Sequence, residues 1–343
     1  MSRPRIAVLG TGAQGAGIGA DMVRAGHDVT FIDQWPAHVE AMRDGGIEVR
    51  MPLETVVTPV DAIHLCEVAT LRQPFDIVFV VVKAYDTRWA VELIAPHLAE
   101  DGLVVGVQNG MTIDDIAAVV GPERTLGAVI EMASNMFDPG VVTRQNAPAD
   151  SWFAVGGVHP EAQRRAPEAQ QVLSSAGTVE ISDDIRSSKW MKLVANAGEL
   201  VPSAILDLPL YEAVRLEGVH EFMIACGAEA ARAALEDGSR LVSIFGIDAA
   251  EVGDPDRYAE RLLGEVLDKY SLPDTRTTVL QDWMKGRRSE YRELNGLVVD
   301  VMRGAGTQAP INARIVELAA RIERGELSRD IALLPALLHG DER

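Results

Sequence analysis

The sequence has little positive charge for its size. Its 343 residues include 32 lysines and arginines but 51 aspartates and glutamates, which gives a formal net charge of −19 at pH 7. A generally acidic surface repels phosphate backbones, so we expect no nucleic-acid partner. A small anionic ligand is still compatible with this charge, because a local pocket can be positive on a negative protein.

Cysteine is also scarce. Cys66 and Cys226 are far apart in the sequence, and neither has the spacing of a zinc site or of a redox motif. Both have apolar neighbours, so we interpret them as buried free thiols. We therefore expect no metal in this protein.

Long apolar runs are missing as well. No run is long enough to cross a bilayer, and no charged-then-apolar leader precedes the first apolar segment. We therefore expect a cytoplasmic protein with no membrane partner. Hydrophobic residues nevertheless make up 47% of the chain, which is enough for real cores, and its length is typical of two domains or one large one.

The strongest pattern lies at the N-terminus, in RIAVLGTGAQGAGIGADMVRAGHDVTFID. Arg5–Leu9 predicts a buried parallel strand, a helix then runs to Arg24, and Asp28–Ile32 predicts a second strand. Glycines between the first strand and the helix have the G-x-G-x-x-G spacing, which permits a tight turn, close approach to a pyrophosphate and close helix–strand packing. A purely structural turn is the alternative. The residues of this loop predicted to bind a dinucleotide are Gly10, Gly12, Ala13, Gln14 and Gly15.

Asp33 ends the second predicted strand. A carboxylate there accepts hydrogen bonds from the adenosine ribose hydroxyls and repels a 2′-phosphate, so it favours NAD(H) over NADP(H). Its neighbours Gln34 and Trp35 bring no positive charge, whereas Arg43 lies ten residues on and could fold back. The alternative interpretation is an aspartate that starts an exposed turn before Pro36.

Two later apolar runs also end in polar residues. Phe75–Ala84 contains Lys83 near its end, and Leu103–Gly110 ends in a segment that includes Asn109. Ligands bind at the carboxyl ends of strands in open α/β sheets, so we expect Lys83 and Asn109 near the nicotinamide half of a cofactor. Further predicted strands are Thr125–Glu131, Trp152–Gly156 and Thr178–Ile181, with a helix at Glu161–Ser174 between the last two.

The second half of the chain has a helical pattern. This change predicts an α/β Rossmann-type domain over residues 1–183 and an all-α domain for substrate binding and dimerisation over residues 184–343. Asp237–Pro255 is expected to be a surface connection, since it contains several turn formers. The predicted helices are Ile185–Glu199, Leu210–Glu236, Tyr258–Leu267, Asp274–Met284, Ser289–Arg303 and Ala309–Arg324.

One helical segment, KWMKLVANAGELVP, has polar residues at spacings of four and three. Lys192, Asn196 and Glu199 would therefore share one helix face. Such a stripe is usually solvated, and Glu290, near the start of another helix, is by itself typical of helix capping. The residues alone leave open whether these groups are functional.

Taken together, the motifs resemble those of the ketopantoate reductase family. The matching pieces are GTGAQG, VVKAYDT, QNGM, KWMKLVANA and LQDWMKGRRSEYRELNG, in the family's order and over nearly the whole chain. The resemblance implies a Rossmann domain, a helical domain, an active site in the cleft between them, and reduction of a 2-keto acid by a reduced nicotinamide.

The resemblance also implies roles for individual residues. Lys192 matches the catalytic lysine that donates a proton to the substrate carbonyl, and Asn109 matches an asparagine near that lysine and the nicotinamide. Asn196 and Thr278 match substrate-binding positions, Glu290 matches a glutamate that orients the substrate, and Lys83 matches a cofactor-side lysine. For Glu199 the resemblance implies no role, and a salt bridge or a solvent-facing side chain is expected.

The sequence departs from the family pattern in three places. Asp33 replaces the basic residue typical of NADPH-dependent members. Apolar residues at Leu200 or Val201, and then at Leu210, replace two substrate-binding asparagines, which predicts a more apolar substrate than ketopantoate. The segment over residues 237–274 is longer than usual and could reshape the pocket mouth or an oligomer contact.

Several alternatives remain open. One is an NAD-dependent catabolic alcohol or hydroxy-acid dehydrogenase of the same family. Another is an enzyme of a different type on this scaffold with a histidine as acid–base, but the histidines occupy no convincing position. A third is a non-catalytic dinucleotide sensor. The expected partners are a small keto acid, hydroxy acid or alcohol, and a second copy of the chain in a homodimer.

Overall fold

A computed structural model describes residues 3–248 and 253–340 of the chain. The chain divides into two compact units, Met1–Arg186 and Ser187–Arg343, and each is described by itself. Residues 249–252 of the long segment over 237–274, and the last three residues of the chain, lie outside the described part.

Within residues 3–248 and 253–340, all the strands belong to the N-terminal unit. They are β1 (Arg5–Leu9), β2 (Asp28–Asp33), β3 (Ile47–Arg50), β4 (Thr55–Thr58), β5 (Asp61–His64), β6 (Phe75–Val80), β7 (Leu98–Gly106), β8 (Thr125–Glu131), β9 (Ser134–Asn135), β10 (Val141–Arg144), β11 (Trp152–Gly157) and β12 (Thr178–Ile181). Its helices are α1 (Ala13–Arg24), α2 (Pro36–Gly45), α3 (Thr87–Ile94), α4 (Ile113–Val120) and α5 (Pro160–Leu173).

The main sheet has eight strands in the order β12-β11-β8-β7-β6-β1-β2-β5. From β5 to β8 all neighbours are parallel, and β11 then pairs antiparallel to β8. Because β1 lies between β2 and β6, the strand order reverses there. This reversal is the place where doubly wound sheets bind dinucleotides.

Both faces of this sheet are covered by helices. On β1, Ile6 and Val8 point to the face packed by α1, α2 and α5, whereas Ala7 and Leu9 point to the face packed by α3 and α4. A strand buried on both sides reads as a continuous apolar run, and for this reason the sequence pattern predicted it correctly. The predicted α/β fold class is confirmed.

A second, four-stranded sheet with the order β4-β3-β10-β9 was not predicted. Its strands have two to four residues each, too few to give a periodic signal. Beside it, the buried guanidinium of Arg144 bonds to Asp21 on α1, to Ser151 Oγ (2.7 Å) and to the Ala176 carbonyl (2.8 Å). These bonds fasten the small sheet and the edge of the main sheet to α1.

The helical unit contains the larger part of α6 (Ile185–Ile205), followed by α7 (Leu210–Ala213), α8 (Val219–Glu236), α9 (Pro255–Glu265), α10 (Thr278–Met284), α11 (Leu297–Gly304), α12 (Pro310–Glu323) and α13 (Leu334–His339). Helix α8 is central and packs against α9, α11 and α12. Glycines bring α6 and α8 close together, since a Cβ built on Gly198 would lie 2.8 Å from the Met223 carbonyl oxygen. A Cβ on Gly227 would likewise lie 3.2 Å from the carbonyl oxygen of Val194.

Some predicted helix boundaries in this unit were wrong. The predicted helix Leu210–Glu236 is two helices, α7 and α8, because Gly218 takes a left-handed conformation before Val219. The predicted helix Ser289–Arg303 is instead a π-helical turn at Arg292–Gly296 that continues into α11. Single π turns have no distinct sequence pattern and often occur at functional sites.

The cysteine prediction was half correct. Cys226 is a buried free thiol, but Cys66 is exposed, because it lies in a short 3₁₀ segment that follows β5 at the rim of the sheet. The apolar neighbours of Cys66 in the sequence therefore do not lead to burial of its side chain. Among the described residues, no helix is long and apolar enough to span a membrane.

Candidate dinucleotide and substrate sites

The glycine-rich loop lies between β1 and α1 in a conformation that requires glycine. Gly10 has a φ of 91°, and a Cβ there would lie 2.6 Å from the backbone nitrogen of Val82. A Cβ on Gly15 would lie 2.1 Å from the carbonyl oxygen of Gly10, so this glycine lets α1 approach the loop. A Cβ on Gly12 would meet no atom within 4 Å. The loop is therefore open above Gly12, at the N-terminus of a helix without acidic residues in its first turn, where a phosphate is stabilised.

Asp33 is the last residue of β2 and is only 9% exposed. One carboxylate oxygen accepts hydrogen bonds from the backbone nitrogen (2.7 Å) and hydroxyl (3.0 Å) of Thr11, and the other accepts one from the Trp35 nitrogen (2.8 Å). Two carboxylate oxygens have about four acceptor positions, so capacity remains for a ligand hydroxyl. Asp33 therefore orients the glycine-rich loop and still presents a negative charge at the end of β2.

His38 on α2 fastens the same loop from the other side. Its Nε2 bonds to the Thr11 carbonyl (2.7 Å), and its Nδ1 bonds to the backbone nitrogen of Gly140 (2.9 Å). A backbone N–H can only donate, so Nδ1 is the acceptor and the proton is on Nε2. The ring is fully buried, and this burial lowers the pKa of His38 below 6.5. His38 is therefore a neutral structural link.

A cavity of about 640 Å³ opens beside Asp33. It is lined by Asp33, Gln34, Pro36, His64, Leu65, Cys66, Trp89 and Leu93. Arg43, the cation that could have folded back toward this region, donates instead to the Ala62 carbonyl (2.8 Å) and pairs with Glu67 and Glu40. Its charge is thus already balanced by two carboxylates.

Lys83 and Asn109 follow neighbouring strand ends, as the sequence pattern suggested. Strands β6 and β7 pair up to Val80 and Gly106, and each of the two residues lies three positions further on. Their loops are joined by Gln108, whose Nε2 donates to Thr87 Oγ1 (2.8 Å), while the Thr87 hydroxyl donates to the Ala84 carbonyl (2.8 Å).

In the helical unit, the polar stripe on α6 is buried. Lys192, Asn196 and Glu199 are 9%, 1% and 4% exposed, so none of them faces solvent and the alternative of a solvated stripe is wrong. Within the described part of the chain, Nδ2 of Asn196 has no hydrogen-bond partner. A buried amide donor without a partner costs free energy unless a ligand supplies the acceptor.

The ammonium of Lys192 lies over an aromatic ring. Its Nζ is 5.2 Å from the centroid of the Phe245 ring, within cation–π range. Phe245 has a φ of 56°, in the left-handed region that costs a residue with a Cβ roughly 1–2 kcal/mol.

Thr278 is the first residue of α10, next to a contact with α6. The Thr277 hydroxyl donates to the Leu200 carbonyl (2.9 Å) and lies 3.3 Å from Ser203 Oγ. The hydroxyl of Thr278 itself has no partner among the described residues. Thr278 therefore presents a second unpartnered donor close to the turn of α6 that carries Leu200.

Glu290 is buried, with 4% exposure, and lies two residues before the π-helical turn Arg292–Gly296. The preceding residue, Ser289, donates from its nitrogen (2.7 Å) and hydroxyl (2.8 Å) to Glu323. Further along, Asn295 donates to the Ala197 carbonyl on α6 (3.0 Å). The segment with Glu290 is therefore fixed against the helix that carries Lys192 and Asn196.

Comparison with known proteins identifies the family. Residues 6–156 match the sequence profile described as ketopantoate reductase PanE/ApbA, and residues 184–323 match the profile described as its C-terminal part. The chain belongs to the ketopantoate reductase family. It is therefore an oxidoreductase of the class that acts on CH–OH groups with a nicotinamide dinucleotide.

Relatives of this family cover nearly the whole chain. The 2-dehydropantoate 2-reductase of Archaeoglobus fulgidus is 28% identical over 95% of this chain and 100% of its own length. A solved structure of a PanE/ApbA family ketopantoate reductase from Ralstonia eutropha is 29% identical, with a TM-score of 0.77 over 94% of this chain and 99% of that one. A D-mandelate dehydrogenase solved with NADH and anilino(oxo)acetate has a TM-score of 0.82 over the same shares, at 21% identity.

Sequence reasoning missed several residues of this ketopantoate reductase family member. No local sequence pattern indicates His38, Gln108 or Asn295, because each acts through hydrogen bonds to residues distant in the sequence. Lys189 lies one turn before Lys192 in the same sequence segment. It is 3% exposed, and burial lowers the pKa of its ammonium to about 7.

Proposed function

We propose that this protein transfers a hydride between NAD(H) and a 2-keto acid or 2-hydroxy acid, with Lys192 as the proton donor and acceptor. The observation that carries this proposal is the buried stripe on α6. The Lys192 ammonium and the Asn196 amide lie one helical turn apart on the same buried face, and Nδ2 of Asn196 has no hydrogen-bond partner among the described residues. A carbonyl oxygen and a neighbouring carboxylate provide acceptors for both groups.

The N-terminal unit fits the dinucleotide. A pyrophosphate fits the glycine-rich loop for three reasons. The space above Gly12 is open, the N-terminus of α1 lies beside it, and Gly15 packs closely against Gly10. Asp33 favours NAD(H), since its charge opposes a 2′-phosphate and Arg43 is already paired. Lys83 and Asn109, beyond the ends of β6 and β7, are proposed to contact the nicotinamide half.

A nicotinamide dinucleotide bound there would provide the hydride for the carbonyl carbon. The Lys192 ammonium stabilises the negative charge that develops on the carbonyl oxygen and donates a proton to it. Asn196 and Thr278 bind the substrate carboxylate or hydroxyl through their available donors. Glu290 orients the substrate. In the oxidising direction Lys192 accepts the proton of the substrate hydroxyl.

The substrate is proposed to be more apolar than ketopantoate. Leu200, 7% exposed, and the fully buried Val201 follow Asn196 by about one turn, and one of them stands where the resemblance implies a second asparagine. An apolar side chain there leaves a substrate hydroxyl without its partner, which costs about 1–3 kcal/mol. The same fold serves the D-mandelate dehydrogenase named above, so an acid with an aromatic side chain belongs among the test substrates.

The test measures initial rates with NADH and NADPH in parallel, against ketopantoate, 4-methyl-2-oxopentanoate and phenylglyoxylate. We expect NADH to be the better cofactor and one of the two apolar acids to be the better substrate. Lys192→Ala should lower kcat by about 10²-fold or more, because it removes the general acid. Lys269→Ala makes the same charge change at an exposed lysine of the same unit and should leave kcat unchanged.

Two outcomes would contradict the proposal. Full activity of Lys192→Ala would assign the proton transfer to another group. Tight NADH binding without turnover of any keto acid, or of the matching hydroxy acids with NAD⁺, would favour a dinucleotide sensor. The homodimer also remains a prediction, which sedimentation velocity of the whole protein tests directly.

A further inference from the structure

The residue beneath the Lys192 ammonium has an unusual backbone. Phe245 and Gly246 have φ angles of 56° and 79°, and the Ile247 nitrogen donates to the Ile244 carbonyl (2.9 Å), as in a type I′ turn. Such turns favour asparagine, aspartate or glycine at both central positions, and a bulky side chain there is an outlier. Of the other non-glycine residues described, only Asp207 has a positive φ.

The surrounding structure holds this turn in place. Ile244 and Ile247 on either side are each 2% exposed. The hydroxyl of the fully buried Tyr258 donates to the Val242 carbonyl, just before the turn. The position of the Phe245 ring is therefore set by its neighbours, which is the condition under which strained backbone persists.

The ring meets the lysine where water is largely excluded. Phe245 is 4% and Lys192 is 9% exposed, and the Nζ-to-centroid distance is 5.2 Å. A cation–π contact is stronger when it is desolvated. A lysine side chain has four rotatable bonds, so an attractive surface beneath its ammonium restricts the positions that the proton donor occupies.

We propose that Phe245 is the positioning residue of the proposed proton donor, and that the left-handed turn is retained because it directs this aromatic ring at Lys192. The inference rests on the proposed function of Lys192. It also assigns a role to the described part of the long segment over residues 237–274, since this segment supplies the ring.

The test replaces Phe245 with 4-fluoro-, 3,5-difluoro- and 3,4,5-trifluorophenylalanine in the whole protein. Each fluorine withdraws charge from the ring face and leaves the shape of the side chain nearly unchanged. We expect log kcat to fall stepwise with the number of fluorines, by about tenfold over the series, which corresponds to about 1.4 kcal/mol. The substrate KM and the NADH affinity should stay constant, because Lys192 acts in the transition state.

Two ordinary variants complete the series. Phe245→Tyr keeps the ring and should keep most of kcat, whereas Phe245→Leu keeps apolar volume and should lose about as much kcat as the trifluoro protein. All variants are assayed with the same substrate. It is the acid among ketopantoate, 4-methyl-2-oxopentanoate and phenylglyoxylate that the unmodified protein reduces fastest with NADH.

The outcomes separate the two proposals. If Lys192→Ala is inactive but kcat does not change across the fluorine series, Phe245 is only a packing residue and the inference is overturned. If Lys192→Ala remains active, or the unmodified protein reduces none of the acids, the proposed function has failed and the inference falls with it.

Discussion

Replacing Asp33 with asparagine should change which dinucleotide the protein prefers. The side chain keeps its size and one acceptor oxygen but loses its negative charge. We expect the ratio of the NADPH to the NADH dissociation constant to fall by about a hundredfold. The change comes from two sources, since NADPH no longer meets a like charge and NADH loses a charged acceptor for its ribose hydroxyls.

The magnitude follows from where Asp33 lies. It is 9% exposed, so an effective dielectric constant of about 20 applies rather than that of water. One unit charge on a 2′-phosphate about 5 Å from the carboxylate then costs about 3 kcal/mol, which is about two orders of magnitude in affinity. The variant should also lose about 1–3 kcal/mol of stability, because Asp33 accepts three hydrogen bonds and an amide cannot accept all of them.

Isothermal titration calorimetry with both cofactors at 25 °C measures the ratio. Asp28→Asn is the matched control, since Asp28 begins the same strand and its side chain is 60% exposed. It lies roughly 17 Å away, beyond the Debye length of about 8 Å at physiological ionic strength. An unchanged ratio in Asp33→Asn, or an equal change in Asp28→Asn, would refute the reasoning.

Three other predictions follow from the geometry. Leu200→Asn should raise kcat/KM for ketopantoate relative to 4-methyl-2-oxopentanoate by about tenfold or more, as measured by competition between the two acids. Asn196→Ala should lower kcat/KM about 10–100-fold without lowering Tm, because the amide donor has no partner among the described residues to lose. Burial lowers the pKa of His38, so its contribution to stability is present above pH 6.5 and is lost as the pH falls below that value. His38→Phe should therefore show a smaller decrease in Tm between pH 7 and pH 5 than the unmodified protein, and an equal decrease would contradict the assigned neutral state.

The glycine-rich loop and the central strands were predictable because their signals are local. The predicted Arg5–Leu9 and Thr125–Glu131 are the observed β1 and β8, and Asp28–Ile32 is one residue short of β2. Continuous apolar runs bounded by turn residues identify strands buried on both faces. The resemblance to a family then indicated the candidate residues on α6, which periodicity alone left undecided.

Other features depend on contacts between distant residues. His38 meets Gly140, 102 residues away, and nothing near either residue predicts that bond. The sequence around Phe245 has no distinctive pattern. Its proposed role is indicated only by its left-handed backbone conformation and by the position of the Lys192 ammonium over its ring. Cys66 was wrongly expected to be buried, because apolar neighbours indicate burial only where the chain is inside a regular element.

The two faces of helix α6 make different contacts. Gly198 approaches α8 through backbone atoms, with Val194 on the same face, whereas Asn196, Glu199 and Ser203 lie on the other side of the cylinder. Exchanging side chains on the second face leaves the backbone contact between the helices intact. Under the proposed function, point substitutions on the polar face would therefore change the preferred acid without altering the packing of α6 against α8.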